Sequence, residues 1–413
     1  ITHITGRRMD FIVIAVLSAG LILFAYDKWS VPAPTEGSIA VLPFRNLSGD
    51  PEQEYFADGI AEEILDVLAR TPGLSVISSR SSFQFRGDNL DIREVGRALG
   101  VALILEGSVR NENSTVRVVA QLIDAVEGTH LWSQSYDREF EDVLALQSEL
   151  SKAVVSAVGE RVGLTTISKP RAPSVENPEA YAAYMRGKHA IRLQTEAGIR
   201  RAIEQFEEAV DLEPGFALAH AALAEAHLKK KSTHVARDSD AASVAAAVRH
   251  ARLALTLEPD LPEGHYAMGL ISGSDFRFDE AIRHLEQAIR GNPNYSKAYF
   301  LLGSYVGSFF QGRYVEGRAL WKKAQDLDPV LAKSYANEAN VLMGRRELDE
   351  ALEQIEKLES ISPALAAFKR GMVGAIDGEW ANLAIGALDS LQIEPSEGGW
   401  EGVALAMARL GLE

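Results

Sequence analysis

The chain has 413 residues, 46% apolar and 24% charged, with a formal net charge of −16 and no cysteine. That length and composition suit two or three globular domains and exclude a low-complexity or disordered chain. The acidic balance argues against non-specific nucleic-acid binding by this segment, and the lack of cysteine excludes disulfides, thiolate metal sites and cysteine nucleophiles without identifying a compartment.

The first residue is Ile1, so the chain reads as the later part of a longer protein, with residues 1–10 a cytoplasmic stub. Phe11–Tyr26, FIVIAVLSAGLILFAY, is sixteen residues without a charge. As a helix it spans about 24 Å, a little short of a hydrocarbon core of about 30 Å. Met9 and Trp29 extend it, and residues 11–29 are read as a single transmembrane helix. Arg7 and Arg8 precede the run while Asp27 and Lys28 cancel after it. The positive-inside rule then places the N-terminus in the cytoplasm and the soluble part in the periplasm of a bacterial inner membrane. A cleaved signal peptide and a buried core helix compete with this reading. Leu23 is a poor residue for cleavage after Ala25, and Ser18 is the one polar residue in the run. Residues 30–37 form a Pro-rich extended linker.

Residues 38–165 read as a two-layer α/β domain. Ser38–Phe44 is a nearly continuous apolar run, as in a strand buried on both faces. Asp50, Pro51 and Gln53 mark a helix start, followed by Phe56, Ile60, Ile64, Val67 and Leu68 at helical spacing. A strand at Leu74–Ser78, a capped helix from Asp91 to Gly100 and a meander of Val101–Val109, Thr115–Ile123 and Thr129–Tyr136 come next. The helix Glu141–Val162 completes the order βαβαβββα.

The segments IAVLPFRNLSGDPEQEYFADGIAEEIL, SVISSRSSFQFRG, IREVGRALGVALILEGSV and VRVVAQLIDAVEGTHLWSQSYDR resemble the TolB-like N-terminal module, related to flagellar and curli accessory domains such as those of FlgO and CsgG. The resemblance implies a module that follows a transmembrane helix and precedes tetratricopeptide repeats. It also implies an upstream part made of further membrane helices, a class III nucleotide cyclase or a winged helix-turn-helix. ITHITGRRMD looks most like the version with additional membrane helices. Asn46, Ser48, Asp50 and Asp58 gather near the first strand-to-helix turn, but capping and turn formation account for them. His130 stands alone and is read as structural.

After the linker at 166–177, with its Lys169–Pro173 core, the chain becomes periodic. Pro214, Pro259, Pro293, Pro329, Pro363 and Pro395 are spaced by 45, 34, 36, 34 and 32 residues, around the 34-residue tetratricopeptide period. Lys230–Asp240 is a polar insertion in the longest interval. Ala209, Ala254, Ala288 and Ala324 stand five before the first four prolines, then Leu358 and Ser390; Ala202, Ala247, Ala281, Gly317 and Ala351 stand twelve before the first five, then Leu383. Gly187, Gly269, Gly303 and Gly371 hold the small position of the first helix, and Phe206, Leu285, Trp321 and Ile355 fill the space between repeats. Six repeats over 178–395 and a capping segment at 396–413 form an all-α tetratricopeptide superhelix.

In such an array the first helices line the concave face. Tyr184, Tyr266, Phe300, Ser304, Asn340, Met343 and Phe368 are expected there, as a protein-binding groove for an apolar peptide or helix. Packing within the repeats is the competing role for each. No catalytic, cofactor or metal motif is present. His220 and His227 share a helix face about 10 Å apart, too far to chelate together. The chain is therefore expected to be a non-catalytic, membrane-anchored envelope scaffold for protein partners. The alternative is the sensory half of a receptor whose cyclase or winged-helix output lies before Ile1. The linker lacks an apolar pattern, which predicts that residues 38–165 and 176–413 fold as separable units.

Overall fold

The computed structural model describes residues 34–87, 90–112, 115–139, 142–163, 175–232, 237–309, 313–376 and 378–393. The anchor expected at 11–29, the linker core at 169–173 and the segment at 396–413 lie outside the described residues. Among the described residues no helix is long and apolar enough to cross a membrane.

The α/β module comprises β1 (Thr35–Val41), β2 (Arg45–Asn46), α1 (Glu54–Ala69), β3 (Ser75–Val76), α2 (Ser79–Ser82), α3 (Ile92–Leu99), β4 (Val101–Glu112), β5 (Thr115–Asp124), β6 (His130–Glu139) and α4 (Val143–Val162). The sheet order is β3-β1-β4-β5-β6, with β2 also pairing β4. β1 runs parallel to β3 and β4, and β4, β5 and β6 form an antiparallel meander. Alternation along β1 explains the packing. Ile39 and Val41 join the core under α1 and α4, while Ala40 and Leu42 meet Val95 and Leu99 of α3 on the opposite face. The expected two-layer arrangement is therefore corrected to three layers over β1 and β4. A strand buried on both faces needs cover on both. Two layers persist at β6, whose His130, Leu131, Ser133 and Ser135 are exposed.

Six helix pairs follow: α5 (Pro178–Arg192) with α6 (Glu196–Leu212), α7 (Ala217–Ser232) with α8 (Arg237–Leu257), α9 (Pro262–Ser274) with α10 (Phe278–Gly291), α11 (Ser296–Ser304) with α12 (Tyr314–Leu327), α13 (Ala332–Gly344) with α14 (Leu348–Glu359), and α15 (Pro363–Ile376) with α16 (Trp380–Ile393). Together they make a tetratricopeptide superhelix beside the smaller sheet module. Close approach within a pair depends on the small residues. A Cβ on Gly187 would lie 2.4 Å from the Phe206 ring, and one on Gly303 would lie 2.9 Å from Trp321. Phe206 and Trp321 are themselves 1% and 0% exposed, so neither ring has room to retreat.

The α/β module and the repeats pack against each other. One continuous core runs from Ile39 and Leu105 of the sheet through Ile60 and Leu68 of α1 to Tyr181, Phe206, Phe216 and Leu223 of the repeats. The proline turns between repeats add a polar seam. Asn294 accepts from the Val76 amide at 3.0 Å and donates to the Ala69 and Leu74 carbonyls at 2.8 and 3.1 Å. The Ser78 amide donates to the Leu327 carbonyl at 2.8 Å. The Ser81 hydroxyl donates to Asp328 Oδ1 at 2.7 Å.

Asn294 is 6% exposed and serves three backbone groups of the other module. An orphaned buried polar group costs about 1–3 kcal/mol. Asn294→Leu is therefore expected to destabilise the chain by more than about 2 kcal/mol. Urea unfolding followed at Trp132 in the sheet and Trp321 in the repeats is the check. A single shared transition that shifts together in the variant is expected; an unchanged midpoint would refute the seam.

Candidate functional site: the cleft between the α/β module and the repeats

Helix α1 is two-sided. Phe56, Ile60, Ile64 and Leu68 enter the core, while Glu54, Asp58, Glu62 and Asp66, each four residues apart, form an acidic row. That row faces α5, the first helix of the array, where Lys188, His189 and Arg192 stand at matching spacing. Asp58, 1% exposed, accepts from Arg192 Nη2 at 2.5 Å and Arg86 Nη2 at 2.7 Å, with His189 Nδ1 at 3.3 Å. Burial acts to raise its pKa, but His189, Arg192 and Arg86 outweigh burial and hold the carboxyl below its ordinary value. Glu62 takes Arg192 at 3.1 Å and Lys188 at 3.3 Å, and Asp66 takes Lys188 at 3.2 Å. The Arg192 guanidinium also lies 5.0 Å from the centre of the Phe83 ring. Further along α1, Arg70 Nη2 reaches Glu263 of α9 at 2.9 Å. Glu63 points away from the row and accepts from Gln147 of α4. Burial pushes its carboxyl up to about 7.

Between this acidic row and the first helices of the array lies a cavity of about 720 Å³. Its walls carry Tyr184, Lys188, Glu225, Lys229, Glu263 and Lys297 from the repeats, and Arg80, Phe83 and Arg86 from the α/β module.

The residues expected to line a groove divide in two. Tyr184, 4% exposed, lines the cavity, with its ring 5.9 Å from Phe206 and 5.0 Å from Phe216. Tyr266, 8% exposed, packs on Tyr295 with ring centres 5.0 Å apart. Ser304 is not presented to a ligand. It donates to the Phe300 carbonyl and accepts from Trp321 Nε1 and Asn337 Nδ2, tying three helices together. Met343 is likewise core, packed with Ile355 and Leu358. Phe300 and Phe368 are half-buried and Asn340 is exposed, accepting from Lys369 Nζ at 2.8 Å. Asp58 belongs to the α1 row, not to a turn cluster with Asn46 and Ser48. The residues not singled out from sequence are Arg80, Lys188, Arg192, Lys229 and Lys297. For Lys188 and Arg192 the signal is a basic pair spaced by four, matching the acidic row; Arg80, Lys229 and Lys297 lie on separate elements and carry no such local pattern.

A second arrangement recurs in two repeats. His220 Nδ1 and His250 Nδ1 are 2.9 Å apart, and His265 Nδ1 and His284 Nδ1 are 3.0 Å apart. In each pair one histidine lies six residues after a repeat proline and the other nine before the next. His220 Nε2 also faces the Pro214 carbonyl at 3.1 Å, which makes Nε2 the donor. Its neutral Nδ1 then accepts, and His250 Nδ1 supplies the one shared proton. His250 therefore lies between His220 and His227, its ring centre 5.2 and 6.2 Å from theirs. Among the described residues no three His, Asp or Glu side chains are grouped to hold a metal.

No known protein family model matches the chain. Over 253 residues it is 40% identical to the protein named "Putative adenylate cyclase 3" of Rhizobium meliloti (strain 1021), covering 60% of this chain and 42% of that one. Over 342 residues it is 22% identical to the transcriptional regulator HilA of Salmonella typhimurium, covering 81% of this chain and 53% of that one. The chain thus spans about half the length of the curated relatives it matches. Among solved structures, the type IV pilus biogenesis factor PilW aligns at 19% identity and a TM-score of 0.43, over 55% of this chain and 99% of that one. Pseudomonas aeruginosa pilF aligns at 16% identity and 0.41, over 55% and 97%.

The histidine pairs predict an acid response. Burial, then the neighbouring charge of His220, brings His250 down to about 4. A folded pKa below the unfolded one means stability is fully present above about 6.5 and is lost as pH falls toward 4. Melting of the chain across that window is expected to fall more steeply than melting of His250→Gln, which cannot take up the proton. Parallel curves would remove the pair as the cause.

Proposed function

We propose that this chain is the sensing and partner-binding part of a bacterial inner-membrane protein, with no catalysis of its own. Its α/β module, read as TolB-like, and its repeats act as one unit. The observation that carries this reading is the closed seam. The N-terminal half of the concave face, the surface on which such arrays take protein segments, is occupied by α1 of the same chain, with a charged cavity left between them. A module that grips its own helix around a cavity suits control by whatever enters the cavity. The relatives support the same view. One carries the name of an adenylate cyclase and another that of a transcriptional regulator, and in each the matched part is about half of the protein. A sensory segment joined to a nucleotide-cyclase or winged-helix output elsewhere in the protein accommodates both. The envelope scaffold retains one observation in its favour, since Phe300, Asn340 and Phe368 on later first helices are exposed or half-buried and suit a protein or peptide partner.

In this reading residues 11–29 anchor the chain, with residues 1–10 in the cytoplasm and the soluble part in the periplasm. Alkaline phosphatase fused after Lys28 is expected to be active. Fluorescence of green fluorescent protein at the same junction would reverse the topology. For the partner surface, truncating an aromatic anchor removes more than about 1 kcal/mol, and centrally about 2 or more. Phe300→Ala is therefore expected to weaken capture of envelope partners roughly tenfold with an unchanged melt. A lowered melt with unchanged capture would assign Phe300 to packing.

A further inference from the structure

The cavity has two ends of different electrostatic character. At the α5 end the acidic row meets Lys188, Arg192 and Arg86. At the other end Arg80 from the α/β module faces Lys229 of α7 and Lys297 of α11. Glu225 lies between the lysines, 2.9 Å from Lys297 Nζ and 3.6 Å from Lys229 Nζ. Asp328, 1% exposed, takes the Ser81 hydroxyl at 2.7 Å and lies 3.6 Å from Arg80 Nε.

Among the described residues, Arg80, Lys229 and Lys297 stand around Glu225 and Asp328, and Lys333 adds to the same field. The Lys229 ammonium feels these neighbouring cations. Glu225 raises its pKa, but burial and the charges of Lys297, Arg80 and Lys333 together bring it below the ordinary value. Burial raises the Asp328 pKa, while Ser81 and Arg80 act to lower it. A positive potential in a partly enclosed site is relieved by an anion, and field lines between low-dielectric walls concentrate there.

We propose that this end of the cavity binds a small dianionic metabolite, a phosphomonoester or a dicarboxylate, held between Arg80 of the α/β module and Lys229 and Lys297 of the repeats. The cavity as a whole, acidic end included, measures about 720 Å³, so its cationic end has room for a small dianion. Because the cations come from both sides of the cleft, the ligand bridges module and array, so binding tightens the seam and stabilises the folded chain by mass action. The ligand class deepens the proposed sensing role and takes its regulatory meaning from it.

The test is calorimetric titration of the full chain in uncharged detergent at fixed ionic strength, with inorganic phosphate, succinate and acetate as probes. Saturable binding of a dianion but not of acetate is expected. Phosphate alone points to a phosphomonoester and succinate alone to a dicarboxylate. Lys297→Gln is expected to weaken binding roughly tenfold, the loss of one charge-assisted contact. Glu225→Gln removes the internal competitor, leaves both lysines in place and is expected to tighten it. A general loss of fold cannot move the two variants in opposite directions. No saturable heat with either dianion, or affinities that neither variant changes, would overturn the site. Either result leaves the fusion and capture measurements standing, so the sensing role is judged separately.

Discussion

The arrangement of the two modules depends on one buried carboxylate. Asp58 is 1% exposed, and an ionised group so placed is tolerated only with close compensating charge. Arg192 of the first repeat helix and Arg86 of the α/β module supply that compensation, one at each carboxylate oxygen. Arg192 is the partner that crosses between the modules, while Arg86 neutralises the same carboxylate from within the α/β module. The crossing pair makes the helix face of one module the counter-charge of the other. Removing one partner of such a group typically costs about 3–5 kcal/mol, so the pairing is strongly specified even where the net contribution of the ion pair itself is small.

The apolar core and the proline turns follow from that anchoring. With α1 held on α5, Tyr181 and Phe216 can close against the module, and the turn at Asn294 falls opposite the backbone that leaves α1. The turn before α13 then reaches α2 through Asp328 and Ser81. The array's own period therefore sets where it touches its partner. Two successive turns, at Asn294 and Asp328, present polar groups to the α/β module.

Much of the architecture was legible because it rests on periodicity. The recurrent Ala and Gly positions and the repeat prolines identify the superhelix, since close helix contact allows few residues there. The strand buried on both faces was visible as an uninterrupted apolar run, SIAVL, although the third layer it demands was not drawn from it. The seam was harder to read. Charges at spacing four along a helix normally indicate a solvated face, and nothing local distinguishes a row facing water from one facing another row. The histidine pairs fall between these cases. Their repeat positions are plain in the sequence, but His220 and His250 meet only through antiparallel packing of α7 on α8.

Tyr184 shows how a position on a first helix is selected by properties that several occupants share. Its position on a first helix follows from the repeat register, and its aromatic ring suits a site that accepts a helix. The chain supplies that helix itself, as α1, with Lys188 set over the Tyr184 ring at 5.6 Å and directed at the acidic row. A concave position is selected for the same properties whether its occupant is covalently attached or free. The difference lies in effective concentration, since an attached segment competes at a concentration set by its tether rather than by solution. A free partner for the N-terminal half of this face must therefore outcompete a segment of the same chain, whereas the later repeats carry no such requirement.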